Sequence, residues 1–144
     1  MNNKFRIYTS GAMKNISTQL ADKWRYKIAE FLWREDADAS VFIPSEYFGY
    51  EEKRHKTESQ MMDYFLHEVE LSDLMILNLD HSSFSVGTGM EVCHAHDYNI
   101  PIIGYKETGE DVYPWCEIMC TVVFTDMEEM LEYIKTYYIF RGKS

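Results

Sequence analysis

The sequence predicts one α/β domain, a three-layer sandwich with a five-stranded, mainly parallel sheet. Three observations lead there. Short apolar runs alternate with segments of helical periodicity along the whole chain. The central run, Leu74 to Leu79, is apolar almost throughout, as in a strand buried on both faces. Capping residues or prolines mark most of the changes between the two patterns. Right-handed crossovers between such strands give a flavodoxin-like, Rossmann-like sheet order, 2-1-3-4-5. The length, 144 residues, suits a single domain over 1–144.

The elements follow in order. Phe5 to Thr9 reads as the first strand. Leu20, Trp24, Ile28, Phe31 and Leu32 recur at helical spacing, so Thr18 to Arg34 is an amphipathic helix with Ser17 or Thr18 as its cap. Ser40 to Ile43, stopped by Pro44, is a second strand, and Ser45 to Lys56 reads as a loop carrying Tyr47, Phe48 and Tyr50. Thr57-x-x-Gln60 caps a helix whose inner face is Met62, Phe65, Leu66 and Val69. The third strand is Leu74 to Leu79, the next helix Met90 to Asp97, and the fourth strand Ile100 to Tyr105. An irregular stretch, Lys106 to Cys120, precedes a short fifth strand, Thr121 to Phe124. Thr125-x-x-Glu128 caps the last helix, with Met127, Met130, Leu131, Ile134 and Tyr138 inward.

Charge and composition exclude several classes. The formal net charge is −10 and no cluster of Lys and Arg is present, so a nucleic-acid polymer is not an expected partner. No run approaches the ~18 apolar residues that span a membrane. No apolar signal core follows Met1, so the expected location is the cytoplasm. Cys93, Cys116 and Cys120 are odd in number and form no C-x-x-C, which fits reduced thiols. Cys93, His94 and His96 face different directions on a helix, so a metal is not expected. No cofactor is expected either.

In a 2-1-3-4-5 sheet the ligand crevice lies beyond the carboxyl ends of strands one and three. The first of those loops is Thr9-Ser10-Gly11-Ala12-Met13-Lys14-Asn15, and the second runs from Asp80 to Glu91. The second holds Ser85-Val86-Gly87-Thr88-Gly89-Met90-Glu91. Gly87 and Gly89 read as a tight turn that brings backbone close to a ligand, and a helix start then aims free amides at the same place. The helix dipole is expected to keep Glu91 ionised, and an ionised carboxylate there is suited to attack a sugar carbon. Thr88-x-x-Glu91 equally fits a capping box in which Glu91 only closes a helical turn.

Tyr8-Thr9-Ser10-Gly11-Ala12-Met13, Leu71-Ser72-Asp73-Leu74 into the third strand, Ser85 to Glu91, Ala95 and Asn99-Ile100-Pro101-Ile102-Ile103-Gly104 resemble the nucleoside 2-deoxyribosyltransferase family over nearly the whole chain. The resemblance implies a nucleoside or nucleotide substrate. It matches Glu91 to the nucleophile that attacks C1′ and Tyr8 to the tyrosine that steadies it. It also implies a homodimer or higher homo-oligomer in which a neighbouring subunit helps complete each site.

Two positions depart from that pattern. Ser85 stands where many transferases have aspartate, and is similar to the branch that hydrolyses deoxynucleoside 5′-monophosphates. A hydroxyl and backbone amides, with Gly87, Thr88 and Gly89 beside it, can donate to a phosphate that a carboxylate would repel. Lys14 adds a positive charge from the first loop, next to Ser10 and Gly11. Phe65 stands where the family often has the aspartate that protonates the leaving base. Asp63, His67, Glu68, Asp80 and His81 are the candidates to replace it, with Asp80, at the end of strand three, the best placed. Two other classes suit the same features: a flavodoxin-like electron carrier, and a nucleotide-binding module without catalysis.

Overall fold

The computed structural model describes residues 4–13, 16–48 and 57–140, with Tyr47 and Phe48 described by backbone alone. Five strands form one sheet: β1 (Phe5–Ser10), β2 (Ala39–Phe42), β3 (Leu74–Asn78), β4 (Ile102–Tyr105) and β5 (Val122–Phe124). Their order is β2-β1-β3-β4-β5 and every pairing is parallel, as the alternating pattern predicts. Tyr8 pairs with Phe42 on one side and Met75 on the other, and Ser10 pairs with Leu77.

The two-residue period of the strands divides the core. Ile7, Leu74, Ile76 and Ile103 face Trp24, Ile28 and Phe31 of helix α1 (Thr18–Arg34) and Met130, Leu131 and Ile134 of α6 (Met127–Ile134). Tyr8, Met75, Leu77 and Ile102 face the opposite way, toward Val69 of α3 (Glu58–Glu70) and Val92 and Ala95 of α4 (Val86–Asp97). Each such aliphatic side chain contributes about 1.5–3 kcal/mol when fully buried.

Ser17 caps α1, accepting from the Leu20 amide at 3.1 Å, and Thr57 with Gln60 forms the expected capping box on α3. Of the inner face expected for α3, only Val69 is buried; Phe65 and Leu66 are half-buried beside a cavity and Met62 is exposed. The cap of α6 is Asp126 instead of Thr125: its carboxylate accepts from the Glu129 amide at 2.9 Å. The chain continues from α6 into a π-helical turn, Lys135–Ile139. Two stretches expected to be irregular contain short helices, α2 (Pro44–Phe48) and α5 (Pro114–Ile118). Each begins at a proline, which suits a first helical position, and one turn is too short to show a period.

The largest correction concerns α4. It starts at Val86, not Met90, and its cap is Ser85, whose Oγ accepts from the Thr88 amide at 3.3 Å. Gly87 and Gly89 are therefore helical residues instead of a turn, and Thr88 is a buried residue of the first turn instead of a cap. Glu91 is the sixth residue of the helix, past its first turn. Glycines disfavour helix only by ~1 kcal/mol each, which the serine cap and the packing of Thr88, Val92 and Ala95 outweigh.

No described helix is long and apolar enough to cross a membrane. The three cysteines are unpaired. Among the described residues, no group of three His, Cys, Asp or Glu side chains could hold a metal.

Candidate active site

The end of β1 and the second turn of α4 meet across the sheet edge. Tyr8 Oη donates to Glu91 Oε2, and Ser10 Oγ donates to Glu91 Oε1 at 2.7 Å. Both hydroxyls point to the α4 side because Tyr8 and Ser10 are two residues apart on one strand. Tyr8 is wholly buried and stacks on Phe42 with ring centroids 5.2 Å apart, while Phe65 meets Phe42 edge-on at 5.9 Å. That aromatic row leaves the phenol little freedom to swing away from Glu91.

Burial raises the pKa of Glu91 above the ordinary carboxylate value, against the pull of the Tyr8 and Ser10 hydroxyls and the Arg25 charge. The expectation that the helix dipole governs this carboxylate is thus corrected: Glu91 lies past the first turn, where the dipole's effect fades, and desolvation dominates. The residue as a whole keeps some exposure through the cleft, but its carboxyl group is packed deep enough for desolvation to lead. Burial, with the Glu91 charge next, pushes the Tyr8 phenol well above its usual value, so Tyr8 stays protonated and donates.

Glu91 opens onto a cavity of about 420 Å³ lined by Gly11, Met13, Arg25, Phe65, Ser85 and Gly87, among others. A second hollow of about 170 Å³ reaches Glu91 from between α3 and α4, along Phe65, Gly87 and Met90. Gly11 must be glycine: a Cβ there would lie 2.8 Å from Trp24 Cζ2 and 3.2 Å from Asn78 Cβ. A Cβ at Gly87 or Gly89 would meet nothing within 4 Å, so the glycines of α4 leave open space on the helix. The Ser85 Oγ lies 2.6 Å from Thr88 Oγ1, and Ser85 sits at the cavity wall while it caps α4.

The structure therefore brings Tyr8, Ser10, Gly11, Ser85, Gly87, Thr88 and Glu91 to one region, with Gly89 at the wall of an adjoining hollow. Asp80 does not join them. Its Oδ2 accepts from the amides of Glu107 and Thr108 at 2.9 and 3.1 Å and its Oδ1 from that of Gly109 at 2.8 Å. It pins the loop after β4 and lines a different cavity, which removes it as an acid for the leaving group. The other candidates for that role are placed elsewhere too: Glu68 pairs with Arg6, His67 with Glu70 and His81 with Asp111, and neither they nor Asp63 line the Glu91 cavities. Lys14 and Tyr50 lie outside the described residues, as do the side chains of Tyr47 and Phe48.

Arg25 is the residue that sequence reasoning missed. It is 1% exposed and lines the Glu91 cavity. A signal existed: Arg25 stands on the apolar stripe Ala21, Trp24, Ile28, Leu32 of α1, where a charge needs a buried partner.

No family model matches this chain, and no curated protein matches it in sequence. Its fold is shared with solved structures. A conserved protein from Enterococcus faecalis V583 is 18% identical with a TM-score of 0.75, covering 92% of this chain and 98% of that one. A 2-deoxyribosyltransferase from Bacillus psychrosaccharolyticus is 16% identical with a TM-score of 0.71, covering 95% and 94%. A CMP N-glycosidase from Clostridium botulinum is 15% identical with a TM-score of 0.58, covering 92% and 98%. The chain thus has the flavodoxin-like α/β fold found in 2-deoxyribosyltransferases and in that N-glycosidase.

Proposed function

We propose that this protein cleaves the N-glycosidic bond of a 2′-deoxynucleoside or its 5′-monophosphate, with Glu91 as the nucleophile. The observation that carries the reading is the carboxylate of Glu91, gripped by the Tyr8 and Ser10 hydroxyls at the wall of an open cavity. A carboxylate used only to cap a helix would lie in the first turn and bond to backbone; Glu91 does neither.

Ionised Glu91 attacks C1′, and the C1′–N bond breaks with its electron pair leaving on the base. The product is an ester between Glu91 and the sugar. The departed base anion takes a proton from solvent; water or a second base then attacks C1′ from the other side, gives up a proton to solvent and frees the carboxylate, so configuration is retained overall. Tyr8 and Ser10 hold the carboxylate in line, and Tyr8 keeps its proton throughout. The cavity wall supplies Ser85 and the open helix surface at Gly87 for the sugar or its phosphate, while Phe65, Met13 and Met61 offer apolar contact to the base. The three unpaired thiols suit a reducing cytoplasm.

The active form in this reading is a homo-oligomer. Val86, Trp115 and Ile118 are 81%, 70% and 76% exposed, and Val86 and Trp115 line a hollow of about 440 Å³. Ser85 and Val86 line both this hollow and the Glu91 cavity, so a second copy seated there would wall both. Incubation with a panel of ribo- and deoxynucleosides and their monophosphates, with and without a second free base, tests the function. Base release or exchange followed by chromatography supports it; tight binding without release would leave a nucleotide-binding module.

A further inference from the structure

We propose that Arg25 is a positioning residue for Glu91, gripping the chain on both sides of Ser10 and so holding the Ser10 hydroxyl against the carboxylate. Its catalytic meaning rests on the reading of Glu91 as the nucleophile.

The geometry is explicit. Arg25 Nε donates to Thr9 Oγ1 at 3.1 Å, and Arg25 Nη2 donates to the Gly11 carbonyl at 3.2 Å. Ser10 lies between those two residues and donates to Glu91 Oε1 at 2.7 Å. Thr9 Oγ1 can accept from Arg25 because its own proton goes to the Phe42 carbonyl at 2.7 Å. The third nitrogen, Nη1, donates to the Ala21 carbonyl and anchors the group to its own helix. One rigid, planar guanidinium thus ties α1 to the end of β1 at two points in a fixed geometry, where an ammonium is a single point donor on a flexible stem. The guanidinium carbon lies 4.6 Å over the Trp24 ring, and Trp24 in turn fills the space that a Cβ at Gly11 would need.

A wholly buried guanidinium is costly to fold. Packing does not require it here, since its neighbours on the α1 stripe are apolar. Both charges line one cavity, and among the described residues Glu91 is the carboxylate on its wall. Arg25 favours the ionised form of Glu91 in two ways: through its charge, and through the hydroxyl it keeps in place.

The test reads Glu91 directly, apart from any activity. The carboxyl carbon of Glu91 is titrated by NMR in the full chain labelled with 13C-glutamate, the signal being assigned by its loss in Glu91→Gln. Arg25→Lys keeps the charge and loses the fixed, planar grip made by Nε and Nη2. It is expected to move the Glu91 titration to higher pH, as Ser10→Ala does, and the double variant is expected to add little to either. A titration unchanged in folded Arg25→Lys, or full additivity with Ser10→Ala, overturns the proposal. If Arg25→Lys does not fold, Thr9→Val removes the Nε acceptor, and the same two outcomes decide. Where base release is measurable, the acid limb of kcat moves to higher pH while KM changes little; a rise in KM alone, with kcat unchanged, overturns the positioning role. A wild-type protein that releases no base from any substrate sinks the nucleophile reading, while the titration still decides whether Arg25 acts through Ser10.

Discussion

Tyr8 and Glu91 are 83 positions apart in the chain, and the phenol of one donates to the carboxylate of the other. Each changes the other's ionisation. Burial is the larger cause for both, and the Glu91 charge then helps keep the Tyr8 proton in place, while the Tyr8 hydroxyl draws the Glu91 pKa back down. Most consequences for the site follow from that pair.

Glu91→Gln is expected to abolish base release and to leave the melting temperature at pH 7 equal to or above that of the wild type. A carboxyl whose folded pKa is raised opposes folding once it ionises: stability falls as pH rises from the ordinary carboxylate range through the raised value. The neutral amide removes that cost, and the two hydroxyls can rotate to suit it. The stability gap should therefore close at low pH, where Glu91 is protonated. Thermal melts at two pH values and a base-release assay check both halves. A destabilised mutant that keeps turnover would return Glu91 to a structural role.

Tyr8→Phe takes one donor from the carboxylate. Its pKa rises further and the acid limb of the pH–rate profile moves up. The fall in kcat is expected to be on the order of 10²-fold, the usual loss for one donor aimed at a reacting oxygen, and larger at low pH than at high pH. Steady-state rates across the pH range measure it.

Gly11 and Gly87 should respond in opposite ways to alanine. Gly11→Ala drives a methyl to 2.8 Å from Trp24 Cζ2, so it is expected to cost about 1–3 kcal/mol and to disturb the Arg25 grip. Gly87→Ala meets no protein atom within 4 Å and gains helix propensity, so it should stabilise the fold by about 0.5–1 kcal/mol. The same methyl projects beside the Glu91 cavities and should raise KM. Denaturant melts with kinetics on both variants separate stability from access.

Ser85→Asp keeps a good helix cap, so the fold is expected to hold. It also adds a negative charge to the cavity wall. The variant should weaken binding of a 5′-monophosphate and spare the matching nucleoside, and in the wild type the monophosphate should bind better. Titration calorimetry with both ligands checks this; equal wild-type affinities would favour a nucleoside transferase.

Trp115→Lys places a charge on the apolar wall of the hollow that Ser85 also lines. Light scattering is expected to show an oligomer for the wild type at micromolar concentration and a smaller species for the variant. A wild-type monomer under those conditions removes the shared-site arrangement.

Strand and helix alternation, the all-parallel sheet and its order were legible in the chain because they rest on local periodicity and on the handedness of crossovers, both carried by neighbouring residues. The crevice between the ends of β1 and β3 followed from that order, and with it the region of Ser10, Ser85 and Glu91. What stayed hidden depended on partners distant in the chain. Glycines at 87 and 89 read locally as a turn, yet the Ser85 cap and the burial of Thr88, Val92 and Ala95 make them helix. Asp80 read locally as an acid at a strand end, yet three amides of the loop after β4 occupy it. Arg25 carried no reading in the chain, yet it lies across the end of β1 and lines the same cavity as Glu91, 66 positions further on. Whether a polar side chain serves a ligand or the fold is decided by which donors and acceptors surround it once it is buried, and only the folded chain brings those together.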